Sequence, residues 1–153
     1  MLRGALAGVA AAAAWAAAEP ALGRALRVPP GYSDVRLLGG LLTADGPRWR
    51  GVGLAAHLAN GAAFGALFSA AGLRGWKQGL AAAQVENAAL WPGMALIDRL
   101  HPDRRSGAWP PLLSSRGVFT YETAAHAVFG VVLGLLAGPG RGGQSPSSGA
   151  SSS

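Results

Sequence analysis

Two histidines recur in this chain inside the same apolar frame, and carboxylates accompany them. His57 and His126 are each followed by glycines at four-residue spacing, and Glu122 precedes His126 by one helical turn. Imidazoles and carboxylates are costly inside an apolar run, so each needs a packing partner or a function. Groups of this kind can exchange protons, bind a solute or ligate a metal.

Further polar residues lie in the same apolar runs, and together they form one candidate site: Glu19, His57, Asn60, Glu86, Asn87, Glu122 and His126. At about 1.5 Å per residue, the ionisable ones lie ~6–16 Å from the side of the first and third loops. They therefore occupy one half of a core of ~30 Å. Small residues share their helix faces, so we predict close helix packing at Gly61, Gly65, Gly130 and Gly134.

The elements that must position this site are apolar helices. The chain has 153 residues, of which 50% are hydrophobic and 13% charged. This composition predicts an all-α, polytopic membrane protein. Four segments are long enough to span, which predicts a bundle of four transmembrane helices in a domain covering residues 1–140: about 4–23, 51–73, 78–97 and 118–137.

The connections are less regular. Loop 24–50 is expected to be partly interfacial, because Val35–Leu42 is apolar but too short to span. Helix 4–23 is expected to break late, at Glu19-Pro20. Residues 141–153 form a Gly/Ser-rich tail that we predict to be disordered. Residues 1–18 also fit a cleaved signal peptide, and this alternative stays open.

The distribution of basic residues predicts the orientation of the chain in the membrane, and two matching segments suggest an internal repeat. Nine basic residues lie in the first and third loops and four at the termini and second loop, which places the two former loops in the cytoplasm. The matching frames at His57 and His126 suggest a parallel repeat of two helical hairpins, with chance similarity of Ala/Gly-rich helices as the alternative. The abundance of Ala, Gly and Arg suggests a bacterial protein.

Partners follow from charge and composition. The net charge of +6 lies between the apolar runs, so the lipid bilayer is the expected partner and nucleic acid is not. A homo-oligomer through exposed glycine faces is a further expectation.

Catalysis and cofactors have little support in the sequence. The chain has no cysteine, no G-x-S-x-G and no HExxH, so we predict no catalytic residue and favour a non-enzyme. No cofactor is predicted. Two alternatives stay open: haem between His57 and His126, or a divalent metal held by Glu122 and His126 with His57 and Glu86 completing the shell.

Several of these stretches carry a family resemblance. The chain resembles the YagU-like family of small bacterial inner-membrane proteins without an assigned activity, through Gly4-Ala-Leu-Ala-Gly-Val9 leading to Glu19, Trp76-Lys-Gln-Gly-Leu80, His57 and Glu122-x3-His126. It departs from the family in a shorter first loop, in Glu86-Asn87 and in the Ser-rich tail. The resemblance implies a four-helix membrane protein with a cytoplasmic N-terminus, opposite to the arginine count.

Two functional hypotheses remain. In the first, the polar cluster handles protons or a small solute within the membrane. In the second, the protein is a structural or accessory subunit whose polar residues only lock helix packing.

Overall fold

A computed structural model describes residues 1–43 and 46–138, and within these ranges the chain is helical without any strand. The all-α prediction is therefore confirmed. The predicted tail, 141–153, lies outside the described residues. The helices are α1 (Leu2–Leu26), α2 (Asp34–Leu42), α3 (Trp49–Ala70), α4 (Gly75–Leu90), α5 (Met94–Leu100), α6 (Pro102–Arg105) and α7 (Arg116–Ala137).

Three helices, α1, α3 and α7, are long and apolar enough to cross a membrane. α1 and α7 begin two residues before the segments that the sequence predicts for them, whereas α3 begins at Trp49 and ends at Ala70, before the predicted end at residue 73. Their composition and length indicate a membrane protein.

The remaining predicted span, 78–97, is wrong as a single helix. α4 has 16 residues, and the 3-10 turn Trp91–Gly93 separates it from α5. Pro92 lacks the N–H that would continue the helical ladder, and its ring crowds the carbonyl of the residue four positions earlier. At about 1.5 Å per residue α4 is ~24 Å long.

The expected break at Glu19-Pro20 is also wrong. α1 runs through Pro20 to Leu26, and Arg27, the residue that follows it, has a φ of 52°. A proline removes one backbone hydrogen bond from a helix. Here the buried side chains of Trp15 and Glu19 hold the preceding turn against its neighbours, so the helix continues.

Two glycine seams join the long helices in pairs. α1 packs on α3, and α4 packs on α7. A Cβ added to Gly8 would overlap the Gly61 carbonyl oxygen, and one added to Gly79 would overlap the Gly130 carbonyl oxygen. Backbones approach this closely only where the facing residues are small.

The two pairs meet where α1 packs on α7, so the helices follow one another in space as α3, α1, α7, α4. α2 packs across α3 on the side of the first and third loops. There it lies beside α5, α6 and residues 106–115, and we call α2 with these segments the cap. Its apolar centre includes Leu37, Trp109 and Leu112, which pack with Tyr32 and Tyr121. The apolar run in loop 24–50 thus forms a packed helix.

Candidate functional site

A cavity of about 400 Å³ lies among the helices, just below the cap. α3 and α4 line opposite sides of it, and α1 and α7 contribute the wall between them. Six of the seven polar residues singled out in the sequence line this cavity: His57, Asn60, Glu86, Asn87, Glu122 and His126. Three helices, α3, α4 and α7, therefore bring their polar groups to one place.

His57 is held by both nitrogens of its ring. Nδ1 contacts the carboxylate of Asp34, at the start of α2. Nε2 donates to the backbone carbonyl of Ala12 on α1, at 3.0 Å. The ring is only 3% exposed, so no further polar partner can reach it without moving one of these.

His126 is held by one nitrogen only. Its Nδ1 donates to the backbone carbonyl of Glu122, one turn earlier on α7, at 2.7 Å. Within residues 1–43 and 46–138, Nε2 has no hydrogen-bond partner. A neutral imidazole that donates from Nδ1 carries a lone pair on Nε2. His126 therefore brings an open proton acceptor to the cavity.

Glu122 connects the cavity to the loop that precedes α2. Its Oε1 accepts a hydrogen bond of 2.6 Å from the Tyr32 hydroxyl. Burial and the nearby Glu122 raise the pKa of Tyr32 well above its usual range. The phenol therefore stays protonated and acts as the donor. The Glu122 carboxylate also lies 3.8 Å from Nδ1 of His126.

Glu19 is placed differently from the other candidates. Its Oε1 accepts the backbone N–H of Asp34 at 2.6 Å, in the first turn of α2. A carboxylate in this position stabilises a helix N-terminus. Glu19 does not line the cavity but faces an outer cleft of about 550 Å³, beside Arg24 and Arg27. The expectation that it joins the other six is therefore wrong, because Asp34 lies between them.

The residues on α4 occupy the far side of the cavity. Asn87 is buried and donates to the Thr123 hydroxyl on α7 at 3.3 Å. Glu86 is half-buried, and Asn60 of α3 lies near enough to interact with its carboxylate. Both Glu86 and Asn60 thus remain accessible from the space between α3 and α4.

Trp15 lies at the centre of this arrangement. Its ring centroid is 5.0 Å from that of His57 and 4.5 Å from that of His126. Its Nε1 and the Tyr121 hydroxyl are buried without a hydrogen-bond partner among the residues described. Buried donors of this type are uncommon in folded proteins.

The alternatives of haem and metal can be compared with this geometry. Trp15 packs against both histidine rings and fills space that a macrocycle between them would need. In the described parts of the chain, no three His, Asp or Glu side chains converge as metal ligands would. Glu122 and His126 share one helix face, as the sequence predicts, but His57 is engaged by Asp34.

Sequence reasoning missed Asp34 and Tyr32, which complete the site. Ser33 and Asp34 open α2, and the Ser33 hydroxyl accepts from the Arg36 N–H at 3.0 Å. This Ser-Asp pair before an apolar run is a recognisable helix start. What the sequence did not reveal is that the helix folds back over α3 and carries Asp34 to His57.

The cap holds a second polar cluster, and its charges are matched. Arg36 donates to both carboxylate oxygens of Asp103, at 2.7 and 2.9 Å. Arg104 donates to Asp98 at 2.7 Å. Asp98 also accepts the backbone N–H groups of Leu112 and Leu113. The hydrogen bonds from Arg36 lower the pKa of Asp103, and those from the two backbone amides and Arg104 lower the pKa of Asp98 against the effect of burial.

No family model, curated protein or solved structure matches the chain. The function of the site is therefore inferred from its geometry. The resemblance to the YagU-like family therefore stays a prediction from the motifs quoted above.

Proposed function

We propose that this chain is a multi-pass inner-membrane protein whose cavity binds a small solute and exchanges protons with it. The observation that carries the proposal is the convergence of Glu86, Glu122 and His126 from two helices on one cavity of about 400 Å³. Cavities of ~300–1,000 Å³ with a few directed polar groups are typical of small-molecule sites. Ionisable residues within spanning segments commonly mark solute or proton pathways.

The proposal includes a fourth crossing by α4. α4 runs antiparallel to α7, with Gly79 against Gly130 near one end and Trp91 against Phe119 near the other. A helix that accompanies a spanning helix over most of its length shares its environment. Arg3 also donates to the Leu136 carbonyl at 3.5 Å, which fits both ends of the domain lying on one side. A bundle with four crossings accounts for the packing of α4 along α7 and for the contact between Arg3 and Leu136.

His126 and Glu122 are the groups that we expect to move protons. Nε2 of His126 is the cavity's open acceptor, while Glu122 is linked through Tyr32 to the loop side. Tyr32 lines the outer cleft and Glu122 lines the cavity, so their hydrogen bond joins the two spaces. This arrangement supports exchange with the solution beyond the cap.

Proton flux into vesicles tests the proposal. Purified protein would be reconstituted into neutral-lipid vesicles containing a pH-sensitive dye, and flux measured after an imposed pH step. We expect Glu122→Gln and His126→Ala each to lower the flux at least tenfold while both variants keep a folded, monodisperse state. Thr120→Ala is the control, because its exposed hydroxyl donates to the Arg116 carbonyl on the same helix. Wild-type flux equal to that of empty vesicles would contradict the proposal.

The accessory-subunit hypothesis has one observation in its favour. His57 and Glu19 use their polar groups to attach α2 to α1 and α3. If all the polar residues serve packing, Glu122→Gln and His126→Ala lower the unfolding temperature together with any measured flux. Lost flux with a loss of no more than about 1 kcal/mol in unfolding free energy distinguishes the site from the packing role.

A further inference from the structure

The chemistry of the cavity wall says more about the solute. The polar side chains that line it are acidic, amide or imidazole groups, with Asp34 joining the six named above. Among the residues described, no Lys or Arg lines this cavity, although the chain carries 13 of them. Three carboxylates therefore face two imidazoles, and one of these, His57, is already engaged by Asp34. The balance of charge favours a cation.

The remaining wall is apolar. Leu37 and Leu38 of α2 and Met94 and Ile97 of α5 line the side towards the cap. Trp15 and Trp91 add aromatic rings. Indole is the ring that attracts ammonium groups best. A ligand that complements the whole cavity therefore has an apolar body, which contacts these side chains, as well as a charge.

The opening of the cavity has the same dual character. α3 and α4 flank it without packing along each other's length. At the rim, Asn60 is exposed beside Leu90 and Leu96, which are 62% and 59% exposed. A lateral opening between two membrane helices admits a molecule that partitions into the bilayer.

A second observation points to a ligand independently of the acidic groups. His126 lines the cavity, is only 7% exposed, and its Nε2 has no hydrogen-bond partner in the described chain. This nitrogen accepts hydrogen bonds, and an ammonium group on a ligand is a donor that matches it. A buried acceptor without a partner is uncommon, so this one indicates a ligand with a donor group.

We infer that the cavity binds a lipophilic organic cation, an ammonium group attached to an apolar body, with Glu86 as its principal counter-charge. The inference rests on the proposed function, since it names the solute of the same site. Glu86 is the half-buried carboxylate at the open side, whereas Asp34 and Glu122 already contact His57 and Tyr32. The apolar body then lies against α2 and α5.

Equilibrium binding to protein in a neutral maltoside detergent tests the inference. The probes are 2-phenylethylammonium, the uncharged 2-phenylethanol and the anionic 3-phenylpropionate, titrated by calorimetry with empty micelles subtracted. We expect the ammonium to bind at least tenfold more tightly than the alcohol, and the anion not to bind. Glu86→Gln should weaken ammonium binding at least tenfold with an unchanged unfolding temperature.

A matched variant separates the local charge from the overall charge. Lys77→Gln alters one charge on the same helix, but its exposed side chain lies at the opposite end of α4 and outside the cavity. We expect it to leave ammonium binding unchanged. Equal affinities for ammonium and alcohol, or equal effects of the two variants, would overturn the inference.

The two proposals can fail separately. If Glu122→Gln abolishes proton flux while ammonium binds no better than the alcohol, the site handles protons and the cation assignment is wrong. If ammonium binds as expected while flux is absent in the wild type, the cavity binds the cation but does not exchange protons. If neither is seen, both proposals fall.

Discussion

The two halves of the molecule place a histidine in the same position but bind it differently. In the α1–α3 half, His57 uses both ring nitrogens, one on Asp34 and one on the Ala12 carbonyl. In the α4–α7 half, His126 uses one nitrogen on its own helix and leaves the other to the cavity. The glycines after each histidine make the same close contacts with the partner helix.

This difference shows that the shared frame serves packing, whereas the chemistry depends on what lies opposite the ring. α2 folds over α3 and supplies Asp34, so His57 becomes part of the attachment of the cap. The turn after α4 leads into α5 along the cavity edge, and no carboxylate of the described residues reaches Nε2 of His126. If the two halves arose as a parallel repeat, both kept the glycine contacts between their helices, and the polar partners of the two histidines diverged.

The largest expected effect tests whether the two seams are equivalent. A Cβ at Gly65 would overlap the Gly4 carbonyl oxygen, and one at Gly134 would overlap the Gly75 carbonyl oxygen. Because backbone cannot rotate away as a side chain can, we expect Gly65→Val and Gly134→Val each to cost about 3 kcal/mol or more. Thermal unfolding and monodispersity in neutral detergent measure the loss.

Gly51 provides the control for these two variants. It lies in α3, and nothing lies within 4 Å of a Cβ added there. Gly51→Val should therefore change the unfolding temperature little. A large loss for one seam and none for the other would show that the seams are not equivalent.

The next effect separates the two histidines. His57→Ala removes two hydrogen bonds and leaves the Asp34 carboxylate without its partner, so we expect a loss of about 2–4 kcal/mol in unfolding free energy. His126→Ala removes one hydrogen bond to a carbonyl of its own helix, with an expected loss of about 1 kcal/mol. Denaturant titration in one detergent compares them. Equal losses would contradict the division into a packing histidine and an open one.

Much of this arrangement could be predicted from the sequence, because it depends on periodicity along single helices. The spans α1, α3 and α7, the glycine seams and the common level of the polar residues all follow from spacing in the chain. Fixed rise and rotation per residue relate the sequence directly to position within a helix.

The parts that could not be predicted depend on where non-regular segments fold back. The outcome at Pro20 and at Pro92 differs because neighbouring packing, not proline alone, decides whether a helix continues. Asp34 meets His57 across 23 residues, and Arg36 meets Asp103 across 67. No spacing in a single helix encodes contacts of this kind, so the cap and its role in closing the site appear only in the fold.

The third histidine extends the comparison and carries the smallest expected effect. In the cap, His101 is stacked on Trp109, with ring centroids 4.4 Å apart. Nδ1 accepts the Asp103 N–H at 3.1 Å, and Nε2 donates to the Arg36 carbonyl at 3.4 Å. A proton on Nδ1 would face another N–H, so the folded cap requires the neutral ring.

Burial lowers the pKa of His101 below its ordinary value of 6.5. The folded state therefore binds this proton less readily than the unfolded state. The stability gained from the neutral ring is complete above about pH 6.5 and is lost as the pH falls towards the folded pKa. Asp98 and Asp103 have pKa values below 3.8, so their contributions persist until the pH falls below that value.

Hydrogen exchange in α5 and α6 measures this effect apart from the other two histidines. Between about pH 7 and about pH 5, we expect the cap amides to lose up to about 1 kcal/mol of protection per pH unit, after correction for the intrinsic exchange rate. His101→Gln cannot take up the proton and should remove this dependence while α3 and α7 amides keep theirs. If the cap amides keep their pH dependence in the variant, the titrating group is not His101. His101 and His57 would then share only their hydrogen-bonding pattern.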